Sequence, residues 1–246
     1  MREEQSRDRD SVWARIATEH PEFTKAMDVT NNYHMVREIV LGDSRTWAPA
    51  NKLFKPAPGK RVMDVGANVG IYTAFCAANG ALVTAYECDP STYRVLETVV
   101  RQFPKVEARC VAIYTRSGTV RFESHTVPDE GSEIIWHNGR ASCPGVHDLP
   151  GTIEFIEVPC LSFDEALGDK IWDCIKMDIE GGEAEILMSV SEEKLKQVKF
   201  MYVELHPWTP QELHDQVIQR MDRLFLMTGY WSQDLKRYEA LYLEAK

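Results

Sequence analysis

Two acidic strings carry residues that could draw a proton from a substrate. The first is Lys176-Met177-Asp178-Ile179-Glu180-Gly181-Gly182-Glu183, and the second is Tyr202-Val203-Glu204-Leu205-His206-Pro207. Each sets a carboxylate at the end of a short apolar run, and the second adds an imidazole two residues on. A neutral alcohol is a poor nucleophile until a base within hydrogen-bond reach takes its proton. Asp178 is the expected base, with His206 the second choice and Glu180 beside them. The same spacing permits Asp178, Glu180, Glu204 and His206 to hold Mg2+ through oxygen-rich ligation. The acids could equally be structural hydrogen-bond acceptors at a sheet edge. Gly181 and Gly182 keep the intervening turn low enough for a substrate to approach. Glu183 falls in the first turn of the next helix, where a negative charge favours the helix dipole.

A third constellation concerns the ligand rather than the reaction. Asp64-x-Gly66-x-x-x-Gly70 is followed by Glu87. The two glycines let the backbone turn sharply and come close to a ligand. Glu87 stands at the carboxyl end of the next apolar run, where its oxygens can accept from the vicinal hydroxyls of a ribose. The dinucleotide pattern G-x-G-x-x-G is not met, since Asn68 and Ile71 occupy its second and third glycine positions. An acid at position 64 would repel a pyrophosphate, which such sites seat on a helix N-terminus. It suits a ligand with an amino group, such as the methionine part of S-adenosylmethionine. A nicotinamide cofactor is the rival reading.

Elements must bring these residues together. Residues 61–65 read as a buried parallel strand, 71–78 as a helix stopped by Asn79-Gly80, and 81–86 as the next strand. A helix over 91–103 follows, then strands over 106–113 and 119–123. Strands over 152–161, 172–177 and 199–203 alternate with helices over 164–167 and 183–190. A long amphipathic helix covers 210–227, and two closing strands, 229–232 and 238–244, form an antiparallel pair. Strands alternating with helices argue for an α/β, doubly wound, mostly parallel sheet. Residues 125–151 break the rhythm with glycine, proline and histidine, and a loop of that length suits a substrate-facing lid. Helices over 11–20, 30–41 and 44–53 are expected to form a cap, giving an N-terminal extension over 1–55 and a main domain over 56–246. Such a cap offers a surface for a homodimer.

Composition narrows the partners. Lys and Arg total 28 against 38 for Asp and Glu, a net charge of −10. That disfavours long nucleic acid and anionic membrane surfaces as partners, since both demand a basic footprint. No two of the six cysteines are close enough for a C-x-x-C unit, so reduced, buried thiols are expected. The charged N-terminus does not read as a signal peptide, and no window is apolar enough to span a membrane. A cytoplasmic protein is the expectation.

The strings Val62 to Gly70, Tyr86-Glu87-Cys88-Asp89-Pro90, Ile175 to Leu187 and Val203 to His206 together resemble the FkbM-type family of S-adenosylmethionine-dependent methyltransferases. The first string fits many methyltransferases, whereas Lys-Met-Asp-Ile-Glu-Gly-Gly-Glu is far more specific. The resemblance covers about residue 30 to the end. It implies a class I methyltransferase sheet of seven strands and methyl transfer to a hydroxyl oxygen of a sugar, natural product or other small molecule. It also carries cofactor binding over to Asp64, Gly66, Asn68, Gly70 and Glu87, and active-site acids to Asp178 and Glu180, Asp178 also touching the cofactor. Gly182 departs from the family's common alanine, and the 125–151 loop shares no motif with it, which leaves the acceptor open. A nicotinamide-dependent Rossmann oxidoreductase and a silent cofactor-binding or interaction protein remain as alternatives.

Overall fold

The structure, a computed structural model, describes residues 47–126 and 152–246 together with the single positions 18, 36 and 40. Within them the strands are β1 (Arg61–Val65), β2 (Leu82–Tyr86), β3 (Val106–Arg109), β4 (Ala112–Tyr114), β5 (Gly118–Thr126), β6 (Thr152–Ser162), β7 (Cys174–Met177), β8 (Phe200–Glu204), β9 (Phe225–Ser232) and β10 (Arg237–Ala245). The helices are α1 (Trp47–Leu53), α2 (Ile71–Ala78), α3 (Pro90–Val100), α4 (Phe163–Leu167), α5 (Glu183–Ser189), α6 (Glu192–Leu195) and α7 (Gln211–Leu224).

Seven strands form one sheet in the order β3-β2-β1-β7-β8-β10-β9, and β4-β6-β5 form a second, smaller one. In the large sheet β1, β2, β3, β7 and β8 run parallel, while β10 is antiparallel to both β8 and β9. Successive strand residues face opposite sides, so each strand feeds two cores. Val62, Val83, Cys174, Phe200, Tyr202 and Tyr242 pack with residues of α2 and α3, with Ala50 of α1 and with Val36. Met63, Val65, Ile175, Met177, Met201, Val203 and Leu241 pack on the other side against α4, α5 and α7. Helices on both faces make this the expected doubly wound architecture. Val36, Ala50 and Phe54 share the core of the main sheet, and Phe54 stacks on Phe200 with centroids 6.1 Å apart.

Local chemistry explains most boundaries. Helix α2 starts after Gly70 at φ 90° and ends at Asn79, with Gly80 left-handed beyond it. Helix α3 begins earlier than expected, because the Asp89 side chain accepts from Ser91 N and Thr92 N and Pro90 fills the first turn. Two expectations are corrected. The strand over 106–113 splits: β3 pairs with β2, whereas Ala112 to Tyr114 cross to pair with β6. The helix over 210–227 ends at Leu224, since Phe225, Leu226 and Met227 pair with Ala245, Glu244 and Leu243. The expected loop over 125–151 falls outside the described residues except at its first two positions, which lie in β5. The expected helices over 11–20 and 30–41 lie outside them too, apart from positions 18, 36 and 40, each helical. Among the described residues no helix is long and apolar enough to cross a membrane.

The strand order turns back on itself between β1 and β7. From β1 the chain runs outward to β2 and β3, then returns to the other side of β1 with β7 and β8. Open α/β sheets bind ligands outside the carboxyl ends of their strands at such a point. Gly66 and Asp178 are the residues that leave the sheet there.

Candidate functional site

The turn after β1 is clamped to the end of β7. A Cβ on Gly66 would stand 1.9 Å from the Asp178 carbonyl oxygen, and Gly66 has φ +75°. Only glycine permits that approach. Asn68 also takes a left-handed conformation, φ 51°, which asparagine tolerates better than most residues. Its backbone N–H donates to Glu87 Oε2 at 2.9 Å, and Asp89 N donates to Glu87 Oε1 at 2.8 Å. Glu87 is thus held against the turn at the end of β2. Burial pushes its carboxyl up to about 7, against the pull of those two N–H groups and of Lys176. A buried carboxylate short of donors fits the hydroxyl pair of a nucleoside, because each oxygen retains a lone pair.

Asp64 sits differently from its expected role. Its side chain is wholly buried beneath the turn, where Oδ2 accepts from Thr73 Oγ1 at 2.6 Å and Oδ1 lies 3.5 Å from Lys176 Nζ. Its charge therefore acts on the turn and on Lys176. Lys176 Nζ also donates to Gly66 O at 2.5 Å and lies 3.7 Å from Asp178 Oδ2. One buried cation ties the glycine turn to the first acidic string. Burial opposes its charge, but Asp178, Asp64, Glu204 and Glu87 outweigh burial and raise its pKa. Lys176 was not singled out from the sequence, although a lysine between Ile175 and Met177 in a buried strand was the signal that could have shown it.

At the second string His206 is the hub. Its Nδ1 is 2.9 Å from Glu183 Oε1, and its Nε2 is 3.3 Å from Glu180 Oε2 and 3.9 Å from Asp178 Oδ1. The ring stacks on Trp208 with centroids 4.7 Å apart. Burial works against its charge, yet the Glu183 hydrogen bond and the charges of Glu183, Asp178 and Glu180 raise it to about 9. At neutral pH these acids favour the imidazolium form of His206, which has no free site for a proton. Glu183 does more than favour the helix dipole: it is fully buried, and Oε1 also accepts from Ile179 N and Gly181 N, each at 3.1 Å. It holds both the low turn and the histidine. Glu180 itself has φ 60°.

Glu204 ends β8 beside Asp178, since Met177 pairs with Val203 one residue earlier. Tyr202 donates its hydroxyl to Glu204 Oε2 at 3.0 Å. Burial, then the Asp178 charge, raises Glu204 to about 7 against the opposing effects of His206, Tyr202 and Lys176. The expected Mg2+ quartet is not what the geometry brings together. Among the described residues Asp178, Glu183 and His206 each offer one atom within 4.8 Å of the others. That set does not fit Mg2+, which prefers oxygen ligands and retained waters. Glu183 Oε1 is already taken by two N–H groups and the ring.

The fold matches known structures at low identity. An rRNA methylase from Streptococcus thermophilus aligns with 82% of this chain and 98% of its own, at 11% identity and TM-score 0.50. SMU.1697c from Streptococcus mutans, solved in complex with SAH, aligns with 82% and 99%, at 8% identity and TM-score 0.51. These likenesses establish the class I methyltransferase fold. Among curated proteins none matches the chain. The profile of the methyltransferase FkbM domain matches residues 64–228, spanning the glycine turn, Glu87 and both acidic strings. With that match over more than half its length, the chain belongs to the FkbM family of methyltransferases.

Proposed function

We propose that the chain is an S-adenosylmethionine-dependent O-methyltransferase acting on a hydroxyl of a sugar, natural product or other small molecule. One observation carries the reading. A buried acid suited to ribose, Glu87, and the carboxylates closing β7 and β8 meet at the point where the sheet order reverses. Gly66, Asn68, Gly70 and Glu87 form the nucleoside side, with Asp64 fixing the turn from beneath. Asp178, Glu180 and His206 line the acceptor side.

S-adenosylmethionine supplies a methyl group on a sulfonium centre. The protein's task is alignment, because in-line displacement gains most from correct placement of the reacting groups. The Lys176 bridge fixes the distance between nucleoside turn and acceptor acids. His206, held by three carboxylates, fixes Glu180 and the 179–182 turn. A carboxylate at this edge takes the acceptor proton. The net charge of −10 favours a neutral or cationic small molecule over nucleic acid. Free buried thiols at Cys76 and Cys174 favour the cytoplasm as the place of action. The N-terminal cap is the proposed homodimer surface.

Calorimetry tests the cofactor. The full chain is expected to bind S-adenosylmethionine and to lose that binding on Glu87→Ala. Tight binding of a nicotinamide dinucleotide instead, with no response to S-adenosylmethionine, refutes the reading.

A further inference from the structure

The edge carries four carboxylates that could receive the acceptor proton, and their partners distinguish them. Asp178 is engaged by Lys176 at 3.7 Å and His206 at 3.9 Å. Glu180 is paired with the same ring at 3.3 Å. Glu183 is fully buried and committed to two backbone N–H groups and His206 Nδ1. Glu204 is the exception, since among the described residues no cation is paired with its carboxylate, whereas Asp178 and Glu180 each have one. Its hydrogen-bond partner is the neutral hydroxyl of Tyr202, on Oε2, and among the described residues no hydrogen bond reaches Oε1. It is half-buried at the carboxyl end of β8, one strand further from the nucleoside turn than Asp178.

The arrangement behind it is rigid. Tyr202 stacks on Tyr242 of β10 with centroids 5.8 Å apart, and both rings lie in the core under the sheet face that Glu204 shares. The charged and titratable groups acting on Glu204 are Asp178 and Lys176 from β7 and its end, and His206 and Tyr202 from β8 and its end. Tyr242 from β10 feels the Glu204 charge in turn.

Resting on the methyltransferase reading above, we infer that Glu204 is a catalytic residue, the base that receives the acceptor hydroxyl proton. As the bond from the acceptor oxygen to the methyl carbon forms, the carbon–sulfur bond breaks and its electron pair passes to sulfur, leaving a neutral thioether. The hydroxyl proton moves to Glu204 Oε1. Asp178, with its two cationic neighbours, positions rather than deprotonates. A base that titrates near the working pH is suited to this transfer, and the environment of Glu204 agrees with that requirement.

The test needs no identified acceptor. Sinefungin resembles the cofactor but carries an amino group on carbon where the sulfonium methyl stands, so its ammonium projects to the acceptor side. S-adenosylhomocysteine lacks that group. Binding of both to the full chain is measured by calorimetry for wild type, Glu204→Gln and Asp178→Asn. With Glu204 as the base, Glu204→Gln leaves S-adenosylhomocysteine affinity within about threefold and lowers the preference for sinefungin by roughly tenfold or more, as befits a lost charge-assisted hydrogen bond. Asp178→Asn lowers the preference by less than Glu204→Gln does. Retention of the preference in Glu204→Gln, or its loss only in Asp178→Asn, overturns the assignment. Wild type supplies an arm independent of the folding of any variant. Its sinefungin preference should fall as pH drops from about 8 to about 5.5 and Glu204 protonates, with nucleoside contacts cancelling in the ratio. A flat ratio also overturns the assignment. If wild type binds neither nucleoside, the methyltransferase reading itself has failed, which is a different result from either.

Discussion

Replacing Gly66 by alanine probes the contact that joins the nucleoside turn to the acceptor acids. The added Cβ would lie 1.9 Å from the Asp178 carbonyl oxygen, 2.9 Å from its carbonyl carbon and 3.1 Å from Ile179 Cγ2, where ordinary contact begins at 3.4 Å. The turn and the end of β7 would have to part by about 1.5 Å, the difference between 3.4 and 1.9 Å. That movement strains the bond from Asp178 N to Val65 O, now 3.1 Å. Gly59 is a matched control, with φ +81° against +75° and nothing within 4 Å of its Cβ position. Gly59→Ala should cost about 1 kcal/mol for the left-handed backbone, partly offset by a stiffer unfolded chain. Gly66→Ala carries the same strain plus overpacking of ~1–3 kcal/mol and about 1 kcal/mol for the weakened ladder bond. The difference between the variants is expected near 3 kcal/mol, roughly. Urea unfolding midpoints measure it, and calorimetry should show S-adenosylmethionine binding lost in Gly66→Ala but kept in Gly59→Ala. If the two variants agree within about 1 kcal/mol and both bind, the close approach is not a constraint and the reasoning fails.

Two further outcomes follow from the buried charges. Lys176→Met leaves Asp64 buried without its cation and should destabilise by about 3–5 kcal/mol, with much of the loss recovered in the Asp64→Asn, Lys176→Met double variant; additive losses in chemical denaturation would mean the two side chains do not act as a pair. Stability of the ligand-free protein should fall from about pH 5 to about pH 9. Glu87 and Glu204 lie near 7, above the ordinary 4.5, so the stability they contribute is present below 4.5 and lost as pH rises through 7. His206, raised from 6.5 to about 9, contributes stability present below 6.5 and lost as pH rises through 9. The histidine alone accounts for up to about 3 kcal/mol. Thermal melts of wild type and His206→Gln across that range check it, and a wild-type melting temperature that rises toward pH 9 contradicts it.

Much of the site could be read from local signals in the chain. Gly66, Gly70 and the Asn79-Gly80 stop mark a strand, turn and helix whose bounds the structure reproduces at 61–65 and 71–78. Apolar runs ending in Glu87, Asp178 and Glu204 put these acids at strand ends, because a charge is seldom buried inside a strand unless it is paired there, as Asp64 and Lys176 are. What spacing could not supply was the set of partners. The split of 106–113 and the end of α7 at Leu224 depend on strands distant in sequence competing for the same backbone groups. A lysine inside β7 has no evident use until β1 is placed next to it, where it meets Asp64, Gly66 and Asp178. Likewise His206 reads as a free base in the string and as an imidazolium in the fold, because the three carboxylates that charge it come from the neighbouring strand's turn and helix. Residue types and their order set which groups stand at the ligand edge; strand pairing, through distance and burial, set which of them carry charge and which can take a proton.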